Sequence, residues 1–225
     1  AKQAMVGDFR VGVFADPNGA YTTSASVIAL VERALVERTG GGFEGRDVAV
    51  FGTGPIGLCA AVLAARQGAR TSLCQLTAED DAKAALRFCE RYGAKVEWVL
   101  AETHRQKINA LSGAEVAICA AKAGIRILDR EVLDAAERLL VAADTNAVPP
   151  SGIEGIGSND RGLPVELARC AFHAIGPLAI GSLKYKTEFG LFRAIQTSSQ
   201  PALLDFTEAY AFALEELGRS KPAHS

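Results

Sequence analysis

The 225-residue chain is poor in the features that would place it in a specialised class. It has no long apolar run. Its longest, such as residues 58–65, fall far short of the ~18 apolar residues a membrane helix needs. The N-terminus carries no apolar stretch of the secretory-signal kind. Neither sign of charge dominates. The 24 Lys and Arg residues face 26 Asp and Glu, a formal charge of −2, so the basic surplus of a general nucleic-acid or anionic-membrane binder is missing. The five cysteines (Cys59, Cys74, Cys89, Cys119, Cys170) are scattered, odd in number and form no C-x-x-C. They read as reduced thiols in a cytoplasmic protein, used as small core residues. The three histidines (His104, His173, His224) cluster with nothing, so no zinc ligand set is visible. What remains is an ordinary globular composition, 49% hydrophobic and 22% charged, long enough to bury a core without disulfides or metal.

Apolar strand-like runs alternate with amphipathic helical ones, the pattern of a mostly parallel sheet covered on both faces. The expected fold is α/β: a doubly wound, Rossmann-like domain over residues 1–225 with flanking terminal helices. Residues 10–15 read as a short strand, followed by the turn signal Asp16-Pro17-Asn18-Gly19. Thr22, Thr23 and Ser24 are candidate caps of a helix reaching Arg38 and ended by Gly40-Gly41-Gly42. Further strands are predicted at 47–51, 70–74, 95–100, 114–119 and 138–143, with helices at 56–67, 79–92, 102–110 and 129–135. An irregular glycine-rich stretch follows Pro149-Pro150. Two helices close the chain, at 183–196 and from an Asp205 cap, with Glu208 three residues on, to Leu217.

Gly52-Thr53-Gly54-Pro55-Ile56-Gly57 fits G-x-G-x-x-G, and it lies where that string carries meaning, after a strand and opening a helix. Gly52 permits a tight turn, Gly54 a close pyrophosphate, and Gly57 close helix–strand packing. Pro55 sits in a first turn whose amide has no helical partner, and the helix start offers N–H groups and a positive dipole end to phosphates. The pattern predicts a dinucleotide site for NADP or NAD. The next strand end, where an acid would favour NAD and an arginine NADP, carries neither: it reads Cys74-Gln75-Leu76-Thr77. Gln75 and Thr77 can hydrogen-bond a hydroxyl or a phosphate. Glu79, Asp80 and Asp81 follow, either unwelcoming to phosphate or simply favourable first-turn acids. Two later strand ends point to the same edge. Ala120, Ala121, Gly124 and Ile125 leave room for a nicotinamide ribose, and Asp144 and Asn146 either lie near the nicotinamide or build the loop before Pro149-Pro150.

A resemblance adds to this reading. Residues 14–23 (FADPNGAYTT), the 52–57 loop, 144–153 (DTNAVPPSGI), 175–186 (IGPLAIGSLKYK) and 204–210 (LDFTEAY) are similar, in order, to blocks of the bacterial NAD(P)-dependent methylene-tetrahydromethanopterin dehydrogenases. The likeness is nearer the branch that accepts both NAD and NADP. It implies hydride transfer from methylene-tetrahydromethanopterin to NAD(P)+ in one-carbon metabolism, and a homo-oligomer. It implies substrate contacts at Asn18, Thr22, Thr23 and Pro150, a positioning role for Lys184, and Asp16 or Asp144 as a carboxylate favouring the forming cation. Gly176 and Gly181 flank a loop that could approach either ligand, and Gly181 joins the cofactor set. Family members carry a further N-terminal domain. On that expectation, residues 1–22 and 183–225 would pack against it, where present, or against a neighbouring subunit. Methylene-tetrahydrofolate dehydrogenase and a non-catalytic nucleotide-binding module are the alternatives.

Overall fold

The computed structural model describes residues 11–77, 82–198 and 201–219. Parallel strands β2 (Asp47–Phe51), β3 (Arg70–Gln75), β4 (Val96–Leu100), β5 (Val116–Cys119), β6 (Val141–Asp144) and β8 (Ala171–Ile175), with antiparallel β7 (Arg161–Glu166), form one seven-stranded sheet. Its order is β4-β3-β2-β5-β6-β8-β7. Counting only the parallel strands, this is the doubly wound 3-2-1-4-5-6 order, with its switch point between β2 and β5.

Side-chain alternation assigns the two faces. Val48, Val50, Leu73, Val116, Ile118 and Val141 point into one core. Against it lie helices α1 (Ala20–Thr39), α2 (Pro55–Arg66), α6 (Pro177–Thr197) and α7 (Phe206–Arg219), with Ala85 and Cys89 of α3 (Ala82–Arg91). Ala49, Phe51, Cys74, Ala117, Cys119 and Ala142 point into the other core, which Leu111 of α4 (His104–Leu111) and Val132 and Leu133 of α5 (Arg130–Asp134) help fill. Burial on both faces is why these strands read as unbroken apolar runs. All five cysteines are buried and unbridged. Burial pushes the thiols of Cys59, Cys74 and Cys119 up to about 12, so they are inert core residues.

The structure moves several expected boundaries. The first predicted strand is only β1 (Val13–Phe14), and it pairs with β9 (Leu203–Leu204) in a separate two-stranded sheet. Arg10, Glu79, Asp80, Asp81 and His224 lie outside the described residues. Thr22, Thr23 and Ser24 do not cap α1: their hydroxyls donate to Asp16, Gly19 and Tyr21. Gly19 holds the N-cap position with no side-chain bond of its own, and Asp16 supplies the capping acceptor: its Oδ1 accepts the Tyr21 amide at 2.7 Å and the Thr22 amide at 3.3 Å from across the single 3-10 turn Pro17–Gly19. The stretch after Pro150 contains the β7–β8 hairpin. Its half-exposed edge strand, interrupted by Gly162 and Pro164, lacks a clear period-two signature. Helix α6 begins at Pro177, six residues before the expected start, because proline at a first helical position is favourable. The Asp205 and Glu208 cap of α7 is formed as read: Asp205 accepts the Thr207 amide and Glu208 the Asp205 amide, both at 2.8 Å.

The described parts of the terminal segments pack on the chain's own α1, burying Phe206, Ala209, Tyr210 and Ala213. Tyr185, Phe189 and Phe192 of α6 stay exposed. Among the described residues, no helix is long and apolar enough to cross a membrane.

Candidate active site

Helix direction gathers the candidates on one edge. α2 follows β2 and α6 follows β8, so both begin at the carboxyl edge of the sheet. α1 runs the same way. Near its far end Arg38 donates to Leu140 and Ala171, at the amino ends of β6 and β8. Its start, some 30 Å away at 1.5 Å per residue over 20 residues, therefore lies at the carboxyl edge too. The Asp16 turn, the glycine loop, the loops after β5 and β6, and the first turns of α6 share that edge, where doubly wound sheets bind ligands.

The three loop glycines are there for different reasons. Gly52 has φ +114°, and a Cβ on it would lie 2.6 Å from the carbonyl oxygen of Ala120. Gly57 packs on the carbonyl of Gly52. The protein itself requires both. A Cβ on Gly54 would meet nothing within 4 Å. Nothing in the fold asks for a glycine there, and the space over it suits a closely approaching group. Gly54 also N-caps α2 with no side-chain cap bond, and Pro55 is at the first turn. The amides of Ile56 and Gly57, which precede the first intrahelical bond from Leu58 to Gly54, point out of the helix end. Open space, outward amides and the positive end of the helix dipole fit a pyrophosphate. Thr53 is half-buried in this loop.

At the end of β3, Gln75 is buried with both ends of its amide engaged: Oε1 accepts the Trp98 indole N–H at 2.8 Å, and Nε2 donates to the Thr77 carbonyl. Leu76 and Thr77 follow, half-buried and exposed. Trp98 was not singled out in the sequence. Its signal is register: it pairs with Leu73 on the neighbouring strand, two residues before Gln75 and on the same face.

The loops after β5 and β6 are tied together. Asn146 accepts the Gly124 amide at 3.2 Å and the Val148 amide at 2.8 Å, and donates to the Pro150 carbonyl at 2.8 Å. Ala120 is buried and Ala121 half-buried, whereas Ile125 and Pro150 are exposed. The Pro149–Pro150 peptide is cis. Asp144, read as a residue near the reacting atoms, is wholly buried. Its carboxylate accepts the amides of Asn146 at 3.0 Å, Gly152 at 2.7 Å and Ile153 at 3.3 Å. Burial raises its pKa above the ordinary carboxylate value, the three amides pulling the other way. The geometry thus gives Asp144 the part of holding the 146–153 loop, and its fully covered carboxylate faces no open cleft.

The Asp16 corner is more open. Gly19, at φ +69°, carries the Nζ of Lys184 directly over its Cα, where a side chain would stand. Lys184 is half-buried, and its ammonium has no hydrogen bond or ion pair among the described residues. Asn18 is exposed, with φ +51°. Thr22 is buried, its hydroxyl on Asp16 at 2.5 Å; Thr23 is half-buried, its hydroxyl on the Gly19 carbonyl at 2.6 Å. Gly181, one turn before Lys184, is exposed with open space around it. A hollow of about 780 Å³ lies on the opposite, amino edge among Asp47, Arg70, Lys95, Glu97 and Arg138. Its Arg70 is clamped to Asp47 at 2.7 and 2.8 Å, and it contains none of the candidate residues.

A doubly wound sheet with an uncapped glycine turn at its switch point defines a Rossmann-type dinucleotide-binding domain. Two solved structures share this fold. One is a transhydrogenase from Sinorhizobium meliloti (18% identity, TM-score 0.51, 90% of this chain and 55% of that one). The other is a shikimate 5-dehydrogenase from Listeria monocytogenes (15%, 0.50, 87% and 62%). No protein-family model matches the chain. Among curated proteins it is 39% identical over 220 residues to the NAD(P)-dependent methylenetetrahydromethanopterin dehydrogenase of Methylorubrum extorquens, covering 97% of this chain and 73% of that protein. It is 34% identical over 217 residues to the bifunctional protein MdtA of the same organism, covering 95% and 72%. The chain belongs to this family of NAD(P)-dependent oxidoreductases, the methylenetetrahydromethanopterin dehydrogenases.

Proposed function

We propose that this chain oxidises methylene-tetrahydromethanopterin to the methenyl form at the carboxyl edge of its sheet, in one-carbon metabolism. The observation that carries the reading is the Asp16–Lys184 corner. An ammonium with no partner among the described residues lies on the turn that opens α1, on the same edge as a glycine loop with open space over its middle glycine. When bound, the nicotinamide cofactor takes up the hydride that leaves the one-carbon bridge.

The chain's own residues hold and orient. The 52–57 turn and the outward amides of α2 take the pyrophosphate. The Asn146-tied loops, with Ala120, Ala121, Gly124 and Ile125, shape the far side. Lys184 donates to polar atoms of the substrate, because an ammonium beside a forming cation would oppose the reaction if it faced the bridge itself. The Asp16 carboxylate, half-exposed on the same corner, offsets that charge while it caps α1. No proton leaves the bridge in this step, so no general base is required, and catalysis rests on contact between the reacting carbons and exclusion of water.

Absorbance-monitored NAD(P)H formation tests this, with methylene-tetrahydromethanopterin and methylene-tetrahydrofolate each offered with NAD and NADP. Turnover with the first carrier and not the second is expected. Turnover with folate alone would move the assignment to a folate dehydrogenase. Nucleotide binding without turnover in all four mixtures would leave a binding module.

A further inference from the structure

The end of β3 is where dinucleotide domains of this fold read the adenosine ribose, and this chain places there a carboxamide that cannot turn. An indole N–H only donates, so the Trp98 contact at 2.8 Å fixes the Gln75 oxygen toward β4. A backbone carbonyl only accepts, so the contact with Thr77 fixes the nitrogen toward the strand-end turn. The two partners agree on one orientation. The amide therefore turns its N–H side toward the Leu76–Thr77 turn, beside which the 2′ substituent of a bound dinucleotide would lie. One of its two N–H groups has no partner among the described residues after Thr77 is served.

From this we infer that the Trp98–Gln75–Thr77 chain is the element that admits a 2′-phosphate, with Trp98 as a positioning residue that sets the NADP-to-NAD preference from a neighbouring strand. The inference rests on the dinucleotide reading of the site. A neutral N–H donor can serve either a 2′-hydroxyl oxygen or a 2′-phosphate, and repels neither. A carboxylate would repel the phosphate, and an amide free to rotate would offer its acceptor side part of the time.

Trp98 is the sole tryptophan of the chain, so intrinsic fluorescence reports on this residue alone. The experiment measures dissociation constants of NAD and NADP by calorimetry for the wild type, Gln75→Glu and Trp98→Phe, and follows the tryptophan signal of the first two during each titration. Folding of each variant is checked by thermal melting. Gln75→Glu is expected to lower the NADP-to-NAD affinity ratio at least about tenfold, the scale of one charge-assisted hydrogen bond turned into repulsion. Trp98→Phe is expected to lower it about threefold, the scale of one neutral hydrogen bond. A general loss of structure would weaken both cofactors alike and leave the ratio unmoved. NADP is expected to perturb the wild-type fluorescence more than NAD does.

If both nucleotides bind the wild type and neither variant moves the ratio, this inference falls while the dinucleotide site stands. If Gln75→Glu moves the ratio and a folded Trp98→Phe does not, the role of Trp98 falls. If neither nucleotide binds the wild type, the dinucleotide reading fails and takes the inference with it.

Discussion

Asp16 and Asp144 stand at the same edge of the molecule, one on the turn before α1 and the other at the end of β6, and their surroundings divide the work between them. Asp144 is fully covered and its two oxygens accept three backbone amides. Asp16 is half-exposed, accepts two amides and a hydroxyl, and sits on the turn over which the Lys184 ammonium lies. The first region is closed and internally satisfied. The second keeps a charge with no partner among the described residues. A carboxylate at a strand end is thus no sign of chemistry by itself: what sets the proposed substrate corner apart is a half-buried ammonium with no partner among the described residues, an arrangement that a bound anionic or polar group would stabilise.

The comparison can be broken at its strongest point by Asp144→Ala. The variant strips three buried amides of their acceptor, and unsatisfied donors cost about 1–3 kcal/mol each, so a loss of about 3 kcal/mol or more in chemical denaturation is expected. A neutral effect would remove the loop-holding role. At the Asp16 corner the largest effect should be on turnover. Lys184→Ala is expected to lower kcat/KM for the pterin about 100-fold while nucleotide affinity and melting temperature stay as they were, since the lost contact is one to the pterin and not to the nucleotide or the fold. Unchanged kinetics would take Lys184 out of the site.

The glycine loop carries the same contrast within six residues. Gly52→Ala is expected to destabilise by about 1–3 kcal/mol, through positive φ and the clash with Ala120. Gly54→Ala should leave the melting temperature alone and weaken nucleotide binding, because an added Cβ there meets no protein atom within 4 Å but would stand where the proposed pyrophosphate approaches. Equal effects on stability would erase the distinction. Asp16→Ala should cost about 1 kcal/mol, the usual value of a lost helix cap, measured by denaturation without nucleotide.

The smallest expected effect is on pH dependence. The Asp144 pKa is raised in the folded protein, so the folded state holds that proton more tightly than the unfolded chain. Ionising it then subtracts stability as pH rises from about 4, the ordinary carboxylate value, through the raised one. Asp144→Asn, less stable throughout, should close part of its gap to the wild type over that interval. A gap that widens with pH would mean that the three amides outweigh burial.

Much of this was legible in the residues. Strands buried on both faces announce themselves as apolar runs, the glycine loop has a local signature, and Asp205 with Glu208 spells a helix cap. The β7–β8 hairpin was hidden because its edge strand is broken by Gly162 and Pro164 and half-exposed, so no periodicity marks it. The start of α6 was hidden because an apolar Gly176–Gly181 stretch reads equally well as loop. Trp98 was hidden because its link to Gln75 crosses between strands, a relation that register decides.

The sequence by itself determined the fold class, the alternating strands and helices between residues 47 and 143, the glycine loop and the family, all of which rest on local patterns or on blocks of consecutive residues. Only the tertiary structure decided which strand-end groups are spent and which are available. It closed Asp144 under three amides, locked Gln75 between Trp98 and Thr77, and set the Lys184 ammonium on Gly19, 165 residues away along the chain. Whether a polar group is satisfied depends on neighbours distant in sequence, so no local pattern can encode it.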